Sequence, residues 1–212
     1  LANRPINSLR RIFLWWYPGT HASNNQKLAG LDIILDKIPN VGWQLLENLL
    51  PGSASSITSD PSKPRWKDIG NPPNDILSRQ GQYKYLTAIF EKALDRIDAD
   101  PEKWHTILHS LSNLLPEQWE SALNRFTINI SNIQSNEVKF RIWDILREFI
   151  YEHKSYKGAN WALPNDYLTK LNKLLIMIEP VNIIESKKWL FDEWLPDLPS
   201  EKKQRLIENN ES

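Results

Sequence analysis

Residues 100–119 read DPEKWHTILHSLSNLLPEQW, and the reading of this stretch decides the fold. Asp100 has the short polar side chain of a helix N-cap, and Pro101 follows at the first helical position, where its missing N–H costs nothing. Trp104, Ile107, Leu108, Leu111 and Leu115 then recur at steps of three and four, which is one apolar face of an α-helix. Pro116 closes that helix and opens another. Pro116-Glu117-Gln118-Trp119 repeats the pattern of Pro101-Glu102-Lys103-Trp104, with tryptophan just inside the helix start both times. Asn40-Val41-Gly42-Trp43 is a looser third copy. The chain carries ten tryptophans, and repeated anchors of this kind hold the layers of stacked helix pairs together.

Proline punctuates the rest of the chain in the same way: there are 14 prolines against seven glycines, with helical spacing between them. After Pro5, the residues Ile6, Leu9, Ile12, Phe13 and Trp16 share a face that runs to Tyr17-Pro18-Gly19. Leu28, Leu31, Ile34, Leu35 and Ile38 define a second helix, stopped by Pro39. Trp43, Leu46, Leu49 and Leu50 define a third, stopped by Pro51-Gly52. From about Asn74 a longer face runs through Tyr83, Leu86, Phe90, Ala93, Leu94 and Ile97. Beyond Pro116 come Trp119, Ala122, Leu123, Phe126, Ile130 and Ile133. Ile142, Trp143, Ile145, Leu146, Phe149 and Ile150 then form a face broad enough for a helix covered on more than one side. Tyr156-Lys157-Gly158-Ala159-Asn160 reads as a loop. Pro164 opens the next helix, with Leu168, Leu171, Leu174, Leu175 and Ile178. Two shorter segments follow, one with Ile184, Trp189, Leu190 and Trp194, the other with Leu206 and Ile207. No stretch alternates convincingly as a strand.

The expectation is therefore an all-α protein. About ten helices form a right-handed, solenoid-like stack of antiparallel pairs, an irregular helical repeat over residues 1–207 as a single domain, with a frayed tail at 208–212. A weak internal repeat supports stacking: Leu45-Leu46-Glu47-Asn48-Leu49-Leu50-Pro51 is echoed by Ser110-Leu111-Ser112-Asn113-Leu114-Leu115-Pro116. The exception is 51–75, a polar Ser/Thr run followed by Pro61, Pro64, Pro72 and Pro73. Helix cannot pass through it, and a loop that long in a compact domain is often functional. The chain begins with Leu and enters a helix almost at once, so it reads as a piece of a longer protein.

Composition narrows the function classes. Apolar residues are 41% and charged residues 25%, ordinary globular usage. Acidic and basic residues number 26 each, so the basic excess usual in nucleic-acid binders is missing. There is no cysteine, which rules out disulfides and thiolate metal sites and fits a reducing, cytoplasmic setting. No apolar run reaches the roughly 20 residues of a membrane span.

Candidate chemistry is sparse. His105 and His109, four apart on one helix side, have the spacing of two zinc ligands. The sequence is His-Thr-Ile-Leu-His, however, without the Glu that a zinc protease places beside its first His, and without an obvious third ligand. Two polar residues on a solvated helix face is the plainer reading. Asp95, Asp98 and Asp100, and Asp192 with Glu193, could pair for acid–base work, but solvated helix ends use the same residues. Trp15-Trp16-Tyr17 reads as packing, or as a contact to a missing upstream part. Lys63-Pro64-Arg65-Trp66-Lys67 mixes cations with a tryptophan inside the 51–75 loop. Arg65, Trp66 and Lys67 are the best candidates for binding a protein partner, and the alternative is a tryptophan folded back onto the helices.

The segments Arg11-Ile12-Phe13-Leu14-Trp15-Trp16-Tyr17-Pro18-Gly19-Thr20-His21-Ala22, Val41-Gly42-Trp43-Gln44-Leu45-Leu46 and Lys63-Pro64-Arg65-Trp66 resemble a helical region of large multidomain bacterial proteins. In these, an effector or nucleotide-binding switch domain precedes long helical repeats, and some act in antiviral defence. The resemblance spans residues 11–70. It implies a sensor or scaffold segment whose enzyme lies elsewhere in the parent chain, and no catalytic residue maps onto this sequence. The expectation is a non-catalytic module, without cofactor, for a protein partner or for other domains of its own chain. The alternatives are a metal-dependent hydrolase using His105 and His109, or a weak nucleic-acid binder.

Overall fold

The computed structural model describes residues 5–15, 20, 22–50, 78–114 and 116–180. These residues contain eight α-helices and no strand: α1 (Pro5–Phe13), α2 (Asn24–Lys37), α3 (Pro39–Leu49), α4 (Arg79–Leu94), α5 (Pro101–Ser110), α6 (Pro116–Asn132), α7 (Asn136–Ser155) and α8 (Asn165–Met177). A short 3₁₀ turn, Leu111–Asn113, follows α5. None of these helices is long and apolar enough to cross a membrane. The 51–75 loop, the last two expected helices and the 208–212 tail lie outside the described residues.

Local sequence sets the helix starts. The Asp100 carboxylate accepts the Glu102 N–H at 3.1 Å, as an N-cap should. Ser23 and Gln26 make a reciprocal capping box at α2. Ser78 and Ser135 cap α4 and α7. Trp104 and Trp119, the two tryptophans of the repeated Pro-Glu-x-Trp pattern, are both buried, whereas Trp43 is half-buried and donates its indole N–H to Glu47 at 2.7 Å.

The described residues fall into two compact units. The first comprises those up to Asp98 together with Thr106–Phe126. Within it α1, α2, α3 and α4 pack against one another. Polar pairs fix the register of α2 against α4: Asp32 with Lys92 and Asp36 with Arg96, each at 2.6 Å and each 60 residues apart. A second ladder joins α4 to the first part of α6. Gln118 donates to Thr87 at 2.7 Å, Ser121 to Glu91 at 2.7 Å, and Arg125 pairs with Asp95 at 2.9 Å. Residue numbers rise together along both ladders, so α2, α4 and this part of α6 run in the same direction. The exposed ion pairs among these, Asp36 with Arg96 and Asp95 with Arg125, contribute only about 0.2–1 kcal/mol each.

Two details depart from the spacing-based expectation. The first helix ends at Phe13 rather than at Tyr17. Side chains from α2 and α4 take the carbonyls of Phe13 and Leu14, which ends the helical ladder there. The buried face of α4 is Tyr85, Ile89, Phe90, Ala93 and Leu94, while Tyr83 and Leu86 are half-buried. Phe90, Ala93, Leu94 and Ile97 of the expected face are buried.

Helices α2 and α3, separated by Ile38 alone, approach closely at Gly42. A Cβ added at Gly42 would lie 2.7 Å from the Leu35 Cα and 3.0 Å from its backbone nitrogen. Backbone cannot yield as a side-chain tip can, so only glycine fits. The second unit comprises Ala99–His105 and the described residues from Thr127 on. Here α7 packs on α8; α7 buries Ile142, Leu146, Phe149 and Ile150, and α8 buries Leu168, Leu171 and Leu174.

Gly42→Ala is expected to lower stability by about 1–3 kcal/mol through overpacking, although alanine is the better helix former by about 1 kcal/mol. A urea melt checks it, and an unchanged or raised midpoint would contradict the close approach.

Candidate functional site

Charged side chains rarely leave solvent unless something holds them, and the first unit buries Arg10 and Lys27. Lys27 is buried on α2, with its Nζ donating to the Leu14 carbonyl at 2.9 Å. Tyr85 donates its hydroxyl to the Phe13 carbonyl at 2.6 Å. Asn24 donates to the Gly81 carbonyl at 3.3 Å. Arg10, buried on α1, donates its Nε to the Asn48 carbonyl at 2.9 Å, in the last turn of α3. Burial pushes the Tyr85 phenol far above its ordinary range and lowers the Arg10 guanidinium from its usual value. The carbonyls of Phe13, Leu14 and Asn48 belong to helix ends, whose last C=O groups have no partner within the helix. Cations there also meet the negative end of the helix dipole. The cluster thus does structural work.

The candidate site is an open groove of about 240 Å³ in the second unit, lined by Glu102, His105, Phe140, Arg141, Asp144 and Ile145. Phe140, Arg141, Asp144 and Ile145 lie at spacings of one, four and five on α7 and so share one helix face. Glu102 and His105 come from the first turns of α5, which Asp100 and Pro101 fix. Phe140 and Ile145 are half-buried and give the groove its apolar lining. The rim is ionic and already paired: Arg141 meets Glu102 at 3.4 Å, and Arg147 meets Asp144 at 2.9 Å. The Arg147 guanidinium also lies 5.9 Å from the centre of the Trp143 ring, and Trp143 stacks on Phe140 at 6.0 Å. The arrangement can hold an apolar side chain between fixed charges.

The residues singled out from sequence fare differently. Arg65, Trp66 and Lys67 lie outside the described residues, as do Asp192 and Glu193. His105 and His109 are both exposed on α5, and among the described residues no group of three or more His, Asp or Glu could hold a metal ion. Asp95 serves the ladder to α6 and Asp100 caps α5. Asp98 adopts φ 45°, a left-handed turn position that aspartate tolerates better than most residues. Sequence reasoning missed Glu102, Phe140, Arg141, Asp144 and Ile145 as a set. Their signal was the breadth of the apolar face of α7, which places Ile145 away from the deepest residues. Compared with protein-family models, curated proteins and solved structures, the chain matches none.

The Tyr85 shift gives alkaline sensitivity a sign. The folded chain holds the phenolic proton more tightly than the unfolded chain, so this contribution is complete below about pH 10, the unfolded value, and is lost as pH rises beyond it. Tyr85→Phe is expected to cost about 1–3 kcal/mol at neutral pH and to show a flatter decline of stability from pH 10 upward. Denaturant melts across that range check it, and parallel declines would refute the assignment.

Proposed function

We propose that this chain is a non-catalytic helical scaffold or sensor segment of a larger bacterial protein, acting in the cytoplasm through protein–protein or intramolecular domain contacts. The observation that carries the reading is the common direction of α2, α4 and the first part of α6. In a stack of helical hairpins every second helix runs the same way, and neighbouring units are joined edge to edge. The alignment of α2 with α4 across 60 residues, and of α4 with α6 across 30 or 31, supports that architecture. So does the echo at 45–51 and 110–116, where Leu46 and Leu111 are fully buried and Leu49 and Leu114 nearly so.

A stack of this kind presents faces and grooves to a partner. The Glu102–Asp144 groove supports a contact role better than a chemical one. Its carboxylates are held by arginines, and its lining is apolar. A partner's apolar side chain entering between Phe140 and Ile145 would lose water, while the flanking ion pairs would set orientation. The 51–75 loop with Arg65, Trp66 and Lys67 remains a second candidate contact.

Capture from the source lysate separates the two. The chain is immobilised alongside an Arg65→Ala, Trp66→Ala, Lys67→Ala triple variant and a Phe140→Ala, Glu102→Gln double variant. Because the Glu102–Arg141 pair is well exposed, Glu102→Gln alone is expected to shift stability by less than about 1 kcal/mol. A partner retained by the triple variant and lost by the double variant places the contact at the groove; the reverse places it on the loop. Steady metal-dependent hydrolysis by the chain itself would overturn the reading.

A further inference from the structure

The turn between α7 and α8 is held from inside. The Ala159 N–H donates to the Tyr156 carbonyl at 2.9 Å and the Ala162 N–H to the Ala159 carbonyl at 3.0 Å, which makes two consecutive turns. Buried Leu163 donates its N–H to Nδ1 of His153, itself buried near the end of α7, at 3.1 Å. Two aromatic rings stand on this base. Trp161 meets the His153 ring edge-on at 5.1 Å, and Tyr156 leans on Trp161 at 5.8 Å with 51° between the ring planes. Tyr156 is nevertheless 61% exposed and Trp161 43%. A single exposed ring needs no explanation. Two in contact, fixed from beneath, make a preformed surface on which binding costs little ordering. A Cβ added at Gly158 would meet nothing within 4 Å, so the turn is open there as well.

The polar groups around the pair discriminate between ligands. Among the described residues, the Trp161 indole N–H and the Tyr156 hydroxyl make no hydrogen bond, and Lys154 and Lys157, both exposed, make no ion pair. From His153 to Leu163 the chain has no acidic residue. An indole N–H and an ammonium group can only donate. A fitting ligand therefore brings acceptors, negative charge and an apolar surface for the rings. The lysines oppose a cationic ligand. A nucleic-acid strand brings the charge, but its affinity rests mainly on many phosphate contacts. Two lysines, in a chain with 26 acidic and 26 basic residues, supply few. A proline-rich peptide matches better. Its rings pack on aromatic side chains, its polyproline II backbone leaves the carbonyls without internal partners, and proline has no N–H to compete for acceptors.

We propose that the Tyr156–Trp161 pair is a docking site for a proline-rich peptide segment with acidic residues beside the proline run. One proline ring enters the angle between the two aromatic rings. The Trp161 indole N–H donates to a peptide carbonyl, and Lys154 and Lys157 meet the flanking carboxylates. Peptide helix and turn are both preformed, so little of the contact energy is lost to ordering. The site shares no residue with the Glu102–Asp144 groove, and neither reading depends on the other.

The test follows the Trp161 indole N–H by NMR on the intact chain, the signal being assigned by its loss in Trp161→Leu. The probe is a synthetic peptide of eight prolines with two aspartates at each end and both termini blocked. The Trp161 signal and the backbone amides of 156–162 are expected to shift saturably as peptide is added. The same peptide with serines for prolines should leave them in place. Lysines for aspartates should weaken binding about threefold or more at low salt, the scale of two exposed ion pairs. Tyr156→Ala, and Trp161→Leu read at the backbone amides, should each weaken binding about tenfold, as the loss of an aromatic anchor does. If Trp161→Leu fails to fold, Tyr156→Ala, which changes the more exposed ring, decides. The proposal is overturned by fixed signals at millimolar peptide, by equal binding of the serine or the lysine-flanked peptide, or by unchanged affinity in Tyr156→Ala. A single strand of thymidines that binds more tightly than the peptide overturns it too, and assigns the pair to nucleic acid.

Discussion

The first unit depends on how α1 ends. Its last residues, Phe13 and the adjoining Leu14, are buried, and their carbonyls accept hydrogen bonds from side chains of other helices. A buried carbonyl left without a donor costs about 1–3 kcal/mol, so a helix cannot end there without donors from elsewhere. The chain supplies Tyr85 from α4 and Lys27 from α2. Arg10 returns the same service to the last turn of α3. Three neighbours of α1 are thus joined to it by polar bonds whose geometry is far more selective than apolar contact, and the angles at which they can pack are correspondingly few.

Those bonds explain why buried cations are tolerated. Moving an ammonium or guanidinium out of water is expensive unless it is hydrogen-bonded, and a helix carboxyl end offers both an acceptor and the negative end of a dipole. The long aliphatic stems of Lys27 and Arg10 meanwhile cover apolar surface. Gly42 is the apolar counterpart of this selectivity. By bringing the α3 backbone against Leu35 it fixes the α2–α3 pair so closely that no other residue fits. The α2–α4 and α4–α6 ladders then act on helices already held in place.

Much of the fold was legible because helix starts and apolar spacing are local properties. Asp100-Pro101, Ser135 and Pro164 mark starts that depend on a few adjacent residues, and the α6 face from Trp119 to Ile133 is buried throughout. What was illegible depended on distant partners. The buried face of α2 runs Asn24, Lys27, Leu31, Leu35, so half of it is polar. Lys27 reads as a solvated charge until Leu14, thirteen residues earlier, is seen to need its proton. Arg147 is hidden for the same reason: it occupies a buried position of α7, where Asp144 and the Trp143 ring receive its charge. Of the expected α4 face, Phe90, Ala93, Leu94 and Ile97 are buried; Tyr85 and Ile89 are the buried residues it did not include.

The groove illustrates the same limit at the level of function. His105 drew notice because histidine pairs at a spacing of four have a known chemistry, yet the residue that helps line the groove with it from the same helix is Glu102, three positions away, and not His109. The other four members come from α7, about 40 residues further on, where nothing in the local sequence announces a site. Their chemistry becomes visible only through pairing. Glu102 pairs with Arg141 and Asp144 with Arg147. The contact role we propose for the groove rests on this pairing and on the apolar surface of Phe140 and Ile145.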